Sequence, residues 1–228
     1  LNRAVDVAKK DDNDSGIEFQ GRKAKRADSR ERRRAILDAA LRIIVREGIR
    51  GIRHRAVATE ANVPLAATTY YFKDINELVS DAFNLFAENS LGDSQQLSED
   101  SYRTLEQFSP DQLQESETRD VIAQGLIDLV VEHVARQVAD RDQRILEHAF
   151  RNEALRNEKL AKYAAIPQRR TLEMIEKFFS LLGSPDPQAD AEIVNGVIMQ
   201  LEYSALTGSD KDLTRRAISR IIRKLLNN

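Results

Sequence analysis

The chain has 228 residues, 41% of them hydrophobic and 32% charged, with a formal net charge of −2 and no cysteine. That length suffices for one domain of ordinary size or two small ones, and the lack of cysteine excludes a disulfide framework and a thiolate metal site. No apolar run reaches the roughly 18 residues that a membrane span needs, and the charge-rich start has no signal-peptide core, so a soluble cytoplasmic protein is expected.

Charge is unevenly spread. Between Arg22 and Ser80 there are 14 Lys+Arg against 7 Asp+Glu, whereas residues 81–228 hold 18 against 25. A basic N-terminal third on an acidic remainder suggests a polyanion-binding module joined to something else.

Residues 1–28 show no sustained periodicity and many charges, and read as a disordered arm. Ser29 is a plausible N-cap for the first helix, where Ile36, Ala40, Ile43 and Leu37, Leu41, Ile44 fall on one stripe and Gly48 supplies the left-handed end. Val57, Ala58 and Ala61 give a second helix of barely two turns. Asn62 tolerates the positive φ of a tight turn, Val63 plugs the angle between helices, and Pro64 fits the first turn of a third helix running to about Tyr71. A fourth helix begins near Asp74 with Ile75, Leu78, Val79, Ala82, Phe83 and Phe86 on one face.

From Leu91 to Thr118 the sequence is polar and broken, with a short helix expected at Tyr102–Phe108 and another opened by Pro110. Longer helices follow at about 119–139, 142–155 and 158–182, the last interrupted at Pro167 and closed by Gly183. Two final helices, about 188–206 and 210–226, are separated by Gly208. No β-alternating stretch appears, so the fold class is all-α: a helix-turn-helix domain at 29–80 followed by a larger helical domain at 81–228.

Two short helices joined by a turn of three or four residues form the unit that lays its second helix in the DNA major groove. Small residues such as Ala66 and Ala67 let that helix approach base edges, while Thr69 and Tyr70 offer hydroxyls to phosphates or bases. The stretch RRRAILDAALRIIVREGIRGIRHRAVATEANVPLAATTYYFKDINELVSDAF (32–83) resembles the N-terminal DNA-binding domain of the TetR family of transcriptional regulators. The resemblance lies in the Ala-rich first helix, the Gly after it, the aromatic-rich recognition helix, and the Phe-Lys-acidic run before Leu. The chain departs from the family pattern where Asn62 stands for the turn Gly and Thr69 for a Tyr that commonly touches phosphate.

The residues expected to meet DNA are Arg53, His54 and Arg55 at the start of the second helix, and Leu65, Ala66, Ala67, Thr69, Tyr70 and Tyr71 from the recognition helix. Arg55 is the candidate for a bidentate guanine contact. Lys73, beside a helix N-terminus, would hold a phosphate together with Arg30 or Arg33 of the first helix. The resemblance implies double-stranded palindromic DNA as partner, a homodimer built on the last two helices, and a small-molecule effector without a cofactor. Gly196, Ser204, Ala205, Ile218, Ile221, Ile222 and Leu225 are the expected dimer contacts. Phe83, Phe86, Phe150, Tyr163, Phe178, Met199 and Tyr203 are the aromatic and Met side chains from which an apolar effector pocket could be lined.

Other readings are weaker. Asp128, Glu132, His133 and His148 could form a metal set across two helices, but polar surface or core roles account for them as well. There is no Gly-rich phosphate loop and no nucleophile-elbow pattern, so no enzyme is expected. A regulator controlled by a protein partner, and a helical interaction module with a basic arm, remain as alternatives.

Overall fold

The computed structural model describes residues 19–22, 27–208 and 211–226; most of the expected arm, residues 1–18 and 23–26, lies outside them. Nine α-helices fill the described chain, with no strand among the described residues. They are α1 (Ala27–Glu47), α2 (His54–Glu60), α3 (Leu65–Tyr71), α4 (Ile75–Leu105), α5 (Ser116–Ala139), α6 (Arg141–Ala154), α7 (Glu158–Leu181), α8 (Pro187–Leu206) and α9 (Lys211–Leu226). Single 3-10 turns lie at Ile49–Gly51 and Gln112–Gln114.

The described residues divide into two compact units, one taking in those up to Leu91 together with Ile145–Pro167, the other those of Gly92–Arg144 and from Gln168 onward. The helix-turn-helix unit is therefore larger than residues 29–80. The physical reason is α6: Phe150 packs edge-on against Phe83 (5.2 Å between ring centroids) and beside Phe86 (5.5 Å), so part of the later chain completes the first core. That core also takes the α1 stripe of Ile36, Leu37, Ala40, Ile43 and Ile44, closed by Ile52, Val57 and Phe72. The second core gathers Ile122, Ile127 and Val134 of α5 with Phe178, Phe179 and Leu182, and with Ile218, Ile222 and Leu226 of α9. Arg119 ties helix ends together there, donating to the carbonyls of Leu182 (3.2 Å) and Leu226 (3.0 Å), which the helices cannot satisfy themselves.

Three boundaries differ from expectation. α1 starts at Ala27, and Ser29 bonds the Tyr71 hydroxyl at 2.8 Å rather than capping the helix. α4 runs unbroken for 31 residues through the polar stretch, braced by i,i+4 pairs such as Gln95–Glu99 and Gln96–Asp100. α7 continues through Pro167, which forfeits one backbone bond without ending the helix.

Candidate nucleic-acid interface

The turn between α2 and α3 is built by the backbone. Asn62 adopts φ 52°, its N–H donates to the Thr59 carbonyl (3.1 Å), and the Val63 N–H reaches back to Ala58 (3.0 Å). This is the Schellman arrangement, and it needs a residue that accepts the left-handed region; Asn does so at small cost. Val63 is half-buried against the core, fixing the angle at which α3 leaves the turn.

α3 then divides into two faces. Thr68 and Tyr71 point inward, while Leu65 (44% exposed), Ala66, Thr69 and Tyr70 (53% exposed) lie on the outer face with Ala67 half-buried at its edge. The buried Thr68 hydroxyl donates to the Leu65 carbonyl at 2.8 Å, so His54, whose Nδ1 lies 3.2 Å from the same oxygen, is the donor of that second bond. His54 thus locks the start of α2 to the middle of α3, a positioning role rather than the groove contact expected of it. Arg53, Arg55 and Arg30 are exposed.

Two expected contacts are overturned. Tyr71 is 4% exposed, and its hydroxyl is engaged by Ser29. Arg33 turns inward to pair with Asp81, whose side chain is fully buried. Asp81 also accepts the backbone N–H groups of Gln20 and Gly21, the latter at 2.7 Å. Burial pushes the Asp81 carboxyl above its usual range, with these donors and Arg33 opposing. A third expectation is altered. Lys73 is exposed, but two carboxylates lie at the α4 N-terminus beside it: Asp74 accepts from the Glu77 N–H (2.9 Å), and Glu77 accepts from the Lys73 N–H. A phosphate there would meet the ammonium beside opposing negative charge.

Arg22, Gly21 and Asp81 were not singled out by sequence reasoning. Gly21 and Asp81 meet across 60 positions, Arg22 meets Tyr70 and Tyr71 of the recognition helix, and no local pattern announces these contacts.

The remaining expected sites are redistributed. Phe83, Phe86, Phe150 and Tyr163 belong to the first core and Phe178 to the second, while Met199 is half-buried on α8 and Tyr203 is exposed; the seven share no single core. Of the expected dimer contacts, Ile218 (1% exposed) and Ile222 (4%) are interior residues of their own protomer, because α9 turns that stripe onto α5 and its neighbours. Gly196 is open, and Ser204, Ala205, Ile221 and Leu225 are half-buried. No three metal-ligating side chains converge among the described residues: Asp128 pairs with Arg215 (2.6 Å), Glu132 with Arg136 (2.7 Å), and His133 lies 3.7 Å from Glu202. No described helix is long and apolar enough to cross a membrane.

Residues 117–227 match the family model of the Tetracyclin repressor-like C-terminal domain. The fold is similar to that of SCO7518, a candidate transcriptional regulator of Streptomyces coelicolor A3(2), at 25% identity and TM-score 0.62, covering 84% of this chain and 98% of that one. In this C-terminal match and in its fold the chain resembles the TetR family. A TetR-family protein from Mesorhizobium loti MAFF303099 shares the fold at 19% identity and TM-score 0.60, with 89% and 98% of the two chains covered. So does a candidate regulator from Saccharomonospora viridis in complex with choline, at 19% identity and TM-score 0.61 over 85% and 96%. No curated protein matches in sequence. The family match and the regulators that share this fold support a DNA-binding transcriptional regulator.

Proposed function

We propose that this TetR-like chain is a homodimeric, sequence-specific repressor that leaves its operator when a small apolar molecule binds it. The observation that carries the reading is the outer face of α3. Leu65, Ala66, Thr69 and Tyr70 stand exposed on a helix whose angle is set by the Asn62 turn and the His54–Thr68 bond, with Arg53 and Arg55 exposed at the start of α2. An exposed Leu beside small and hydroxyl side chains is poorly suited to water, but it suits a groove presenting thymine methyls and base-edge acceptors.

Dimerisation is supported by α8, where Ile193 (44% exposed), Gly196, Val197, Gln200, Tyr203 and Ser204 lie on one face, and by Leu213, Ala217 and Ile221 on α9. Two such faces would form a four-helix bundle, with Gly196 permitting close approach. A two-fold protein reads a two-fold site, so the operator is an imperfect palindrome.

For the effector, the apolar side chains of both cores and the choline held by the Saccharomonospora protein of the same fold favour a small organic molecule. Release requires that the ligand bind the non-DNA geometry better, with typical coupling of about 1–3 kcal/mol. Small molecules that raise the melting temperature, each then titrated against operator affinity, test this step. Stabilising molecules that all leave DNA binding untouched would leave an effector-independent regulator.

A further inference from the structure

Ahead of α1, the four residues 19–22 are held against the helix-turn-helix unit by backbone bonds. Gln20 and Gly21 donate to the two oxygens of the buried Asp81, and the Arg22 N–H donates to the Tyr71 carbonyl at 2.9 Å, at the end of the recognition helix. Position 21 must be glycine. A Cβ there would lie 2.8 Å from Asp81 Oδ2 and 2.8 Å from a ring carbon of Phe72, and both side chains are fully buried and unable to yield. Phe19 secures the near end, its ring lying 4.8 Å beneath the Arg33 guanidinium.

These bonds place one side chain. The guanidinium carbon of Arg22 sits 4.2 Å from the centroid of the Tyr70 ring, on the outer face of α3. Stacking uses the flat face of a guanidinium and leaves its in-plane N–H donors directed outward, the geometry that pairs bidentately with phosphate. Base edges are met by the N-terminal residues of a recognition helix. Tyr70 is one residue from the C-terminal end of α3, so Arg22 flanks the groove where the sugar-phosphate backbone runs.

We propose that residues 19–22 form a strap that adds Arg22 to the DNA-contacting set as a phosphate contact stacked on Tyr70, with Asp81 as the residue that positions it. This rests on the DNA-binding reading above. The strap is unused by the contacts assigned so far, and it explains why a carboxylate is kept buried on α4 facing two backbone donors.

The test uses the full chain, titrated by fluorescence anisotropy onto a duplex recovered by selection from random DNA and onto a scrambled duplex, across a range of salt. Arg22→Ala should weaken both duplexes alike, by roughly three- to tenfold at 0.1 M salt, and lower the log–log salt slope by about 0.9. Gly21→Ala and Asp81→Asn should reproduce that loss and add nothing to it when combined with Arg22→Ala. Arg22→Lys should keep the slope while binding less tightly than wild type. Wild-type binding with an unchanged slope in Arg22→Ala overturns the strap alone, and Arg22 then merely covers Tyr70. Failure of the wild type on both duplexes overturns the DNA-binding reading and the strap with it. Should Gly21→Ala unfold, Arg22→Ala still decides, because it alters only an exposed side chain.

Discussion

Arg33 of α1 and Asp81 of α4, 48 positions apart, form an ion pair in which the carboxylate is wholly buried and the guanidinium nearly so, at 14% exposure. An arginine within a basic run is ordinarily taken for a polyanion contact, yet here the charge is directed into the protein. Removing one member leaves the other buried without its partner, which costs on the order of 3–5 kcal/mol. Arg33→Ala should therefore lower the urea midpoint sharply while leaving the salt slope of DNA binding unchanged. Arg30→Ala, on the exposed side of the same helix, should do the reverse. Equal slopes and equal stabilities for the two variants would mean that the inward and outward faces of α1 are misassigned.

Lys73 and Arg55 separate two kinds of contact. Lys73→Ala should weaken specific and random duplexes alike and flatten the salt slope by about one unit, since an exposed ammonium neutralises phosphate irrespective of sequence. Arg55→Ala should cost roughly 1–3 kcal/mol on the specific site and relax preference at one base pair in each half-site. Equal weakening of specific and random DNA by Arg55→Ala would make Arg55 a backbone contact.

The helix-turn-helix was legible in sequence because its determinants are local. Asn62 and Val63 close the turn through neighbours, and the Ala66–Thr69 spacing fixes which side chains share a face. The strap was not legible, since Gly21 and Asp81 meet only through tertiary packing. α4 was read as broken after Leu91 because polar composition hides helical continuity. Its i,i+4 side-chain bonds replace the apolar stripe that periodicity detects. Of the α9 stripe, Ile218 and Ile222 are buried within the protomer while Ile221 and Leu225 are only half-buried, and amphipathicity alone does not separate the two groups.

That distinction gives a direct contrast. Ile218→Glu places a charge at a position 1% exposed and should destabilise the fold by on the order of 4 kcal/mol, read as a collapse of the thermal transition. Ile193→Glu with Tyr203→Glu alters only exposed positions of α8 and should leave folding near wild type while producing monomers by sedimentation. Those monomers should bind the operator far more weakly, because each half-site then binds alone. A double variant that stays dimeric would place the interface on another face.

Thr68→Val probes the brace inside the motif. It removes the hydroxyl shared by Leu65 and His54 and leaves the half-buried His54 donor without that partner, at a cost of about 1 kcal/mol. Thermal melts should show this loss, and specific affinity should fall more than random affinity because α3 loses its fixed angle. A variant with wild-type melting would show that the His54–Thr68 bond contributes nothing to the motif.

The central claim is that the outer face of α3 reads duplex sequence as half of a two-fold pair. The measurement that tests it most directly is selection of genomic fragments bound by the full chain, followed by footprinting of the recovered site with wild type and Thr69→Ala/Tyr70→Ala. The expected result is an imperfect palindrome protected at two half-sites one helical turn apart, about 10–10.5 base pairs, or a multiple of that. Protection should be lost in the double variant, while random-duplex binding falls no further than it does in Arg22→Ala. Recovery of unrelated sequences without symmetry, or a footprint that survives both substitutions, would contradict it.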